Sequence, residues 1–288
     1  MQNVDIKQLR DNIRNFRLED GDLGSQGYNR VLLQLFGYLG HGKSSFINSC
    51  KYVLQDGENF QEYAEVIETD DRRTMIRNAY PLTDVITMVD NRGFSTMDDF
   101  EKAEVYAQLG IFIPIGQKVD WKRNFKMMEE LDSEFEPNCT DFIVPIFVYS
   151  ARYHIQHETM KEIKLFMENC IKMTGVFPII VLTFKTRGDY MEIEKEFRGI
   201  GAEQVIAIEN YTNKNHIKTL GRTTDILMVI DSALKNFTIR MDQPRNPKRE
   251  RMERKKFLLN YIHQNNLQKE REVEENESDE DGWCLVNV

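Results

Sequence analysis

Short continuous apolar runs alternate along the chain with longer segments in which apolar residues recur every three or four positions. The apolar runs at 31–36, 141–149 and 177–183 predict buried strands, and the segments at 157–173 and 223–236 predict amphipathic helices. Strands that alternate with helices favour parallel pairing with crossover helices. The pattern therefore predicts an α/β fold, with a mostly parallel sheet and helices on both faces.

Weaker segments extend the same alternation. Helices are predicted at 45–54 and 190–197, and strands at 73–80, 84–89 and 204–208. Each of these segments is short, and each is bounded by glycine, proline or polar residues that favour turns. Together with the stronger segments, they complete a series of strands and helices within a single fold.

The pattern divides the chain into three parts. Residues 1–28 are expected to form a short helix, with Ile6, Leu9, Ile13 and Phe16 at helical spacing, followed by a glycine-containing loop. Residues 29–238 contain the alternating elements and are predicted to form one domain. Within it, residues 95–140 are less regular and are interpreted as an insertion. Residues 239–288 form a charged tail.

Basic and acidic residues occupy separate parts of the tail. Residues 245–256 contain seven basic side chains, and residues 270–281 contain eight acidic ones. Such runs are typical of a solvated helix followed by a disordered acidic end. A basic arm that contacts a membrane, a nucleic acid or a partner is the alternative interpretation.

Composition restricts the class of protein further. The chain has 288 residues, of which 41% are hydrophobic, so a sizeable core can form. A net charge of −9 argues against nonspecific nucleic-acid binding. No apolar run is long enough for a membrane span, and Cys284 is fifth from the end, where a prenylation box requires the fourth position. The four cysteines are scattered, which favours reduced thiols, and a cytoplasmic location without a lipid anchor is expected.

Residues 37–44 carry the clearest chemistry. Their sequence, Gly37-Tyr38-Leu39-Gly40-His41-Gly42-Lys43-Ser44, matches the phosphate-binding pattern G-x-x-x-x-G-K-[ST] and lies between a predicted strand and a predicted helix. Glycines allow backbone N–H groups to converge on a phosphate, and the helix dipole favours an anion there. Lys43 is expected to reach the β- and γ-phosphates, and Ser44 to bind Mg²⁺. His41 and Ser45 are further candidates for this site.

A second motif follows the strand at 84–89. Asp90-Asn91-Arg92-Gly93 has the pattern D-x-x-G at the carboxyl end of a strand, where ligands bind in open α/β sheets. Asp90 is predicted to hold Mg²⁺, and the Gly93 N–H to meet the γ-phosphate. A threonine that senses the metal is expected near the 73–80 strand. Thr69 and Thr74 both qualify, and either is equally compatible with an ordinary strand-edge position.

The strands at 177–183 and 204–208 are followed by residues that could contact a base. Thr186-Arg187-Gly188-Asp189 follows the first of them. A carboxylate at Asp189 could accept hydrogen bonds from guanine N1 and N2, donors that adenine lacks, and the stem of Arg187 could lie along the base. Glu209 and Asn210 are weaker candidates after the second strand.

Together, these elements resemble the P-loop GTPase superfamily. Thr186–Asp189 stands where that superfamily has N/T-K/R-x-D, although Thr186 replaces the commoner asparagine. The run Gly-Lys-Ser-Ser-Phe-Ile-Asn-Ser and the exit Glu209-Asn210-Tyr211 are most similar to the interferon-induced 44-like proteins. The resemblance covers about residues 29–238. It implies a three-layer P-loop NTPase fold, GTP or GDP with Mg²⁺ as ligands, and a role in innate immunity or stress.

Two positions make rapid hydrolysis unexpected. Phe94 stands where many GTPases carry a glutamine that orients the attacking water, and Leu39 fills a place where a small residue is common. His41 is either directed at the site or a neutral surface residue. We expect tight GTP binding with slow turnover. A second copy or a regulatory partner could supply the missing catalytic group. The alternative is an interaction scaffold whose pocket is empty or permanently loaded.

Overall fold

Six strands form one sheet in the computed structural model, which describes residues 5–55, 57–65, 76–97, 99–117 and 140–283. The strands are β1 (Arg30–Phe36), β2 (Asn78–Pro81), β3 (Ile86–Asp90), β4 (Asp141–Ser150), β5 (Ile179–Thr183) and β6 (Gln204–Ala207). Their order is β2-β3-β1-β4-β5-β6; β2 is antiparallel to β3, and every other neighbouring pair is parallel. The predicted α/β class and mostly parallel sheet are confirmed.

Helices cover both faces of this sheet. They are α1 (Ile6–Arg14), α2 (Lys43–Leu54), α3 (Asp99–Leu109), α4 (His157–Thr174), α5 (Tyr190–Gly199), α6 (Leu220–Met241) and α7 (Pro247–Trp283). Successive residues of a strand point to opposite faces. In β4, Val144 and Ile146 therefore join a core with α1, α2 and α6, whereas Ile143 and Phe147 join a second core with α3, α4, α5 and α7.

The region between β3 and β4, interpreted as an insertion with charged helical patches around an apolar loop, contains the helix α3. α3 buries the charged residues Glu101, Lys102 and Glu104, so its buried positions do not form a regular apolar pattern in the sequence. Strand β2 is shorter than predicted and begins at Asn78. Residues 66–75, with Thr69 and Thr74, and residues 118–139 lie outside the described part.

The structure revises the expected separation between a domain ending at 238 and a solvated tail. Helix α6 continues to Met241, and α7 packs on the second core through Leu258 and Ile262, which are fully buried. Arg251 of α7 donates hydrogen bonds to the carbonyls of Gly110 and Ile111. α7 is helical as far as Trp283, across the stretch expected to be disordered. None of the described helices combines the length and the apolar character needed to cross a membrane.

Candidate functional site

Residues 37–44 form a loop at the carboxyl end of β1 and lead directly into α2. Gly37 has a φ of +139°, and a Cβ there would lie 2.2 Å from the Val148 carbonyl oxygen. Gly40 and Gly42 also have positive φ, and Gly42 is the N-cap residue of α2. These conformations are accessible mainly to glycine, so the loop adopts a path that the glycine positions of the motif permit.

Lys43 is buried at the centre of this loop. Its Nζ donates hydrogen bonds to the carbonyls of Gly37 and Tyr38, at 3.1 and 3.0 Å. Burial lowers the pKa of Lys43 to about 8, and the nearby Asp90 acts in the opposite direction. Nζ lies so close to Gly93 that a Cβ at residue 93 would be 2.7 Å from it. The two glycine motifs thus meet at one ammonium group.

Ser44 and Asp90 form a second pair in the same place. Ser44 Oγ donates to Asp90 Oδ2 at 2.7 Å. Asp90 Oδ1 is buried and has no hydrogen-bond partner in the described part of the chain. Burial raises the pKa of Asp90, although Lys43 and Ser44 act to lower it. A buried carboxylate oxygen without a partner is costly, so its presence needs an explanation such as a cation.

His41 is neither a surface residue nor directed at the centre of the loop. Its Nδ1 accepts a hydrogen bond from the Ser150 N–H at 3.2 Å, and its ring stacks on Tyr153 with a centroid distance of 5.3 Å. Burial is the main cause that lowers the pKa of His41 to about 3, helped by the charges of Lys43 and Arg152. The ring is therefore neutral at physiological pH, with its proton on Nε2. The expectation of a surface position is wrong, because aromatic rings enclose the imidazole.

A cavity of about 510 Å³ lies beside the loop, on the side of β4. The residues that line it include Tyr38, His41, Phe94, Tyr149 and Tyr153. Phe94 itself is fully buried, with its ring against those of Phe147 and Tyr38 at centroid distances of 6.0 and 5.4 Å. The residue after Gly93 is thus part of the second core.

Glu101 holds the loop that follows Phe94. The carboxylate accepts hydrogen bonds from the backbone N–H groups of Ser95, Thr96 and Met97 and from the Ser95 hydroxyl, over 2.6–3.0 Å. Met97 is buried with a φ of +55°, which is uncommon for a side chain of its type. Glu101 was not among the predicted site residues, although the contact is local: it is the third residue of α3, where a glutamate commonly reaches back to N–H groups just before the helix.

Thr183, the last residue of β5, contacts the glycine-rich loop directly. Its hydroxyl donates to the His41 carbonyl at 2.9 Å. Thr183 was not among the predicted site residues, although its place at the carboxyl end of an apolar strand was a usable signal. Phe184 follows with a φ of +59°, and the Arg152 guanidinium stacks 3.8 Å from the centroid of its ring.

Beyond Phe184, the residues predicted to contact a base have different partners. Thr186 donates to Glu209 Oε2 from both its backbone N–H, at 2.8 Å, and its hydroxyl, at 2.7 Å. Asp189 instead caps α5, where its Oδ1 accepts from the Glu192 N–H at 3.2 Å. Arg187 is exposed. The contact of Asp189 and Arg187 with a base stays a prediction, but the structure gives the Asp189 carboxylate a different partner.

Asn210 connects the loop after β6 to the glycine-rich loop. Its Nδ2 donates to the Gly42 carbonyl at 3.3 Å, and its Oδ1 accepts from Ser49 Oγ at 3.3 Å. Ser49 Oγ is also bonded to the Ser45 carbonyl and accepts from the Tyr211 N–H. The structure therefore brings together the loops after β1, β3, β5 and β6 at one edge of the sheet.

A comparison with protein-family models finds none that matches this chain, and a comparison with curated proteins finds no match either.

Proposed function

We propose that this chain is a guanine-nucleotide-binding switch protein on a P-loop NTPase fold, with slow or partner-dependent GTP hydrolysis. The observation that carries the proposal is the meeting of Lys43, Ser44, Asp90 and Gly93 at the carboxyl end of β1 and β3. An ammonium group held among loop carbonyls, at the N-terminus of α2, is suited to the phosphates of a nucleoside triphosphate.

The donor set also fits Mg²⁺. Ser44 and Asp90 offer a hydroxyl and a carboxylate, hard oxygen ligands of the kind that this cation prefers, and Asp90 Oδ1 has no partner among the described residues. When bound, Mg²⁺ would neutralise phosphate charge. Thr74 is the further predicted ligand, and it lies outside the described residues.

Slow turnover follows from the neighbours of the loop. Phe94 can neither donate nor accept a hydrogen bond, and removing its buried ring from the core would cost about 2–3 kcal/mol. His41 Nδ1 is already engaged by Ser150, so that nitrogen cannot take a proton from water. We expect hydrolysis slower by on the order of 10³–10⁵ than with a positioned catalytic group. A partner or second copy of the chain is expected to supply that group.

The biological setting rests on the resemblance alone. Similarity to the interferon-induced 44-like proteins extends the proposal to a cytoplasmic role in an innate immune or stress response. The phosphate chemistry of the loop does not depend on that setting, and it can be tested with purified protein.

The test is nucleotide binding with fluorescent GTP in the presence and absence of Mg²⁺. We expect Mg²⁺-dependent binding that Lys43→Ala weakens by about a hundredfold or more, since the variant removes the buried charge facing the phosphates. Lys235→Ala is the matched control, because Lys235 is exposed on α6 and paired with Asp231. If wild type binds no nucleotide and releases none on denaturation, the chain is a scaffold and the proposal is wrong.

A further inference from the structure

We propose that Glu209, oriented by Thr186, is the side chain that distinguishes guanine from adenine, and that Asp189 does not have this role. This inference rests on the proposed function, since it concerns the base of a nucleotide whose phosphates occupy the loop at residues 37–44. The two carboxylates differ in where they lie and in the partner that holds one oxygen of each, which is Thr186 for Glu209 and the first turn of α5 for Asp189.

Glu209 lies on a loop that is tied to the glycine-rich loop. Its neighbour Asn210 donates to the Gly42 carbonyl, while Thr183, three residues before Thr186, donates to the His41 carbonyl. Ligands of parallel α/β sheets lie beyond the carboxyl ends of the strands. A base attached to phosphates in the loop would therefore extend over the ends of β5 and β6, where Thr186 and Glu209 meet.

The loop that carries Glu209 is also fixed in position. Arg222 of α6 donates to the carbonyls of Asn210 and Glu209, at 2.6 and 3.4 Å, and its guanidinium stacks 4.0 Å from the centroid of the Tyr211 ring. A specificity contact needs such support, because a carboxylate free to swing would adapt to either base.

The hydrogen bonds between Thr186 and Glu209 determine what the pair can recognise. Both donors of Thr186, its N–H and its hydroxyl, point at the same oxygen, Glu209 Oε2. Oε1 accepts no hydrogen bond within the described ranges. The pair therefore presents acceptors only: Oε1 and the remaining lone pairs of the Thr186 hydroxyl.

An all-acceptor surface is complementary to guanine. Guanine places the N1–H and the N2 amino group side by side, so two adjacent acceptors can each receive a proton. Adenine places its N6 amino group beside an unprotonated N1. The lone pair of that nitrogen would face another acceptor, with no proton between them. Unpaired polar groups of this kind provide strong discrimination between similar ligands.

Asp189 is directed elsewhere. Its Oδ1 caps α5, and the preceding Gly188 lies against the residues that follow β4, where a Cβ at Gly188 would be 2.0 Å from the Ala151 carbonyl oxygen. The segment at 187–189 therefore packs against the residues that follow β4. Asp189 stabilises a helix end, as aspartate commonly does at an N-cap.

The experiment compares Glu209→Gln with the matched variant Asp189→Asn. Affinities for GTP, inosine triphosphate, xanthosine triphosphate and ATP are measured by competition against a fluorescent nucleotide in Mg²⁺. For wild type we expect GTP to bind most tightly. Glu209→Gln should weaken GTP by about tenfold to a hundredfold and improve xanthosine triphosphate, because the new amide N–H can pair with the carbonyl at xanthine C2. Asp189→Asn should change the order of preference by less than about threefold.

Thr186→Val provides a second measurement. It removes the hydroxyl but keeps the backbone N–H, so it should reduce the ratio of GTP to ATP affinity while leaving the thermal unfolding midpoint close to that of wild type. Loss of guanine preference in Asp189→Asn, with Glu209→Gln unaffected, would overturn the inference. Tight wild-type binding without any base preference would overturn it too and leave the phosphate site standing. Absence of all nucleotide binding would reject the proposed function together with the inference.

Discussion

At the scale of one residue, the buried imidazole of His41 can be tested by the free energy of unfolding at acid pH. In the folded chain its pKa falls from 6.5 to about 3, because the imidazole is buried and the charges of Lys43 and Arg152 disfavour a second positive charge beside them. Between those two values the unfolded chain binds a proton that the folded chain does not. The free energy of unfolding must therefore decrease as the pH falls below about 6.5, by at most about 1.4 kcal/mol per pH unit from this group.

His41→Asn should remove this contribution. The side-chain carbonyl oxygen that the substitution introduces can still accept the Ser150 N–H, but an amide does not titrate. We expect the variant to be less stable than wild type at pH 7.5, because it loses ring contacts, and the difference to shrink by about 2 kcal/mol at pH 4.5. Urea unfolding without nucleotide or metal measures it. A difference that stays constant with pH would contradict the buried neutral state of His41.

The position of a side chain could be predicted where the spacing of a motif determines the local geometry. The motif at residues 37–44 implies that Lys43 lies within its own loop. Its hydrogen bonds to the carbonyls of Gly37 and Tyr38 are contacts of this kind. The partner of Glu209 could not be predicted in this way. It depends on which of two distant loops approaches the other, and a carboxylate after a strand has the same local signal at Asp189 and Glu209.

At the scale of an element, the loop at residues 94–97 depends on one side chain of α3. Glu101→Ala would leave the N–H groups of Ser95, Thr96 and Met97 without their acceptor, and of these three residues Met97 is the buried one. Leaving the buried Met97 donor unsatisfied is costly, whereas water can replace the acceptor at Ser95 and Thr96, so we expect the free energy of unfolding to fall by about 1–2 kcal/mol. Amide hydrogen exchange at residues 95–97 should accelerate more than exchange in β4.

Glu158→Ala is the control for that measurement. Glu158 is exposed in the first turn of α4 and pairs only with Lys161 in the structure as described, so its loss should change stability by less than about 0.5 kcal/mol. If Glu101→Ala behaved like Glu158→Ala, the buried side chains of Phe94 and Met97, and not the Glu101 carboxylate, would hold this loop.

Elements with a regular apolar pattern were predictable, and elements that bury charge were not. The runs of β4 and β5 are apolar on both faces because helices cover both, and their predicted and observed bounds nearly coincide. The segment of α3 was interpreted only as a charged helical patch without bounds, since Glu101, Lys102 and Glu104 occupy buried positions. The first part of α7 was interpreted as solvated for a related reason, because Arg251 and Arg254 are buried among many exposed charges.

At the scale of the whole molecule, α7 closes the second core rather than forming a separate tail. Leu258 is fully buried in the cluster that also contains Tyr106 of α3 and Ile163 of α4. Leu258→Ala should therefore lower the free energy of unfolding by about 2–5 kcal/mol through the cavity it creates. Lys256→Ala, an exposed position on the same helix, should change it by less than about 0.5 kcal/mol. Urea unfolding of the full chain measures both. Equal stability of the two variants would mean that α7 is solvated, as the charge pattern first indicated, and that the fold ends near α6.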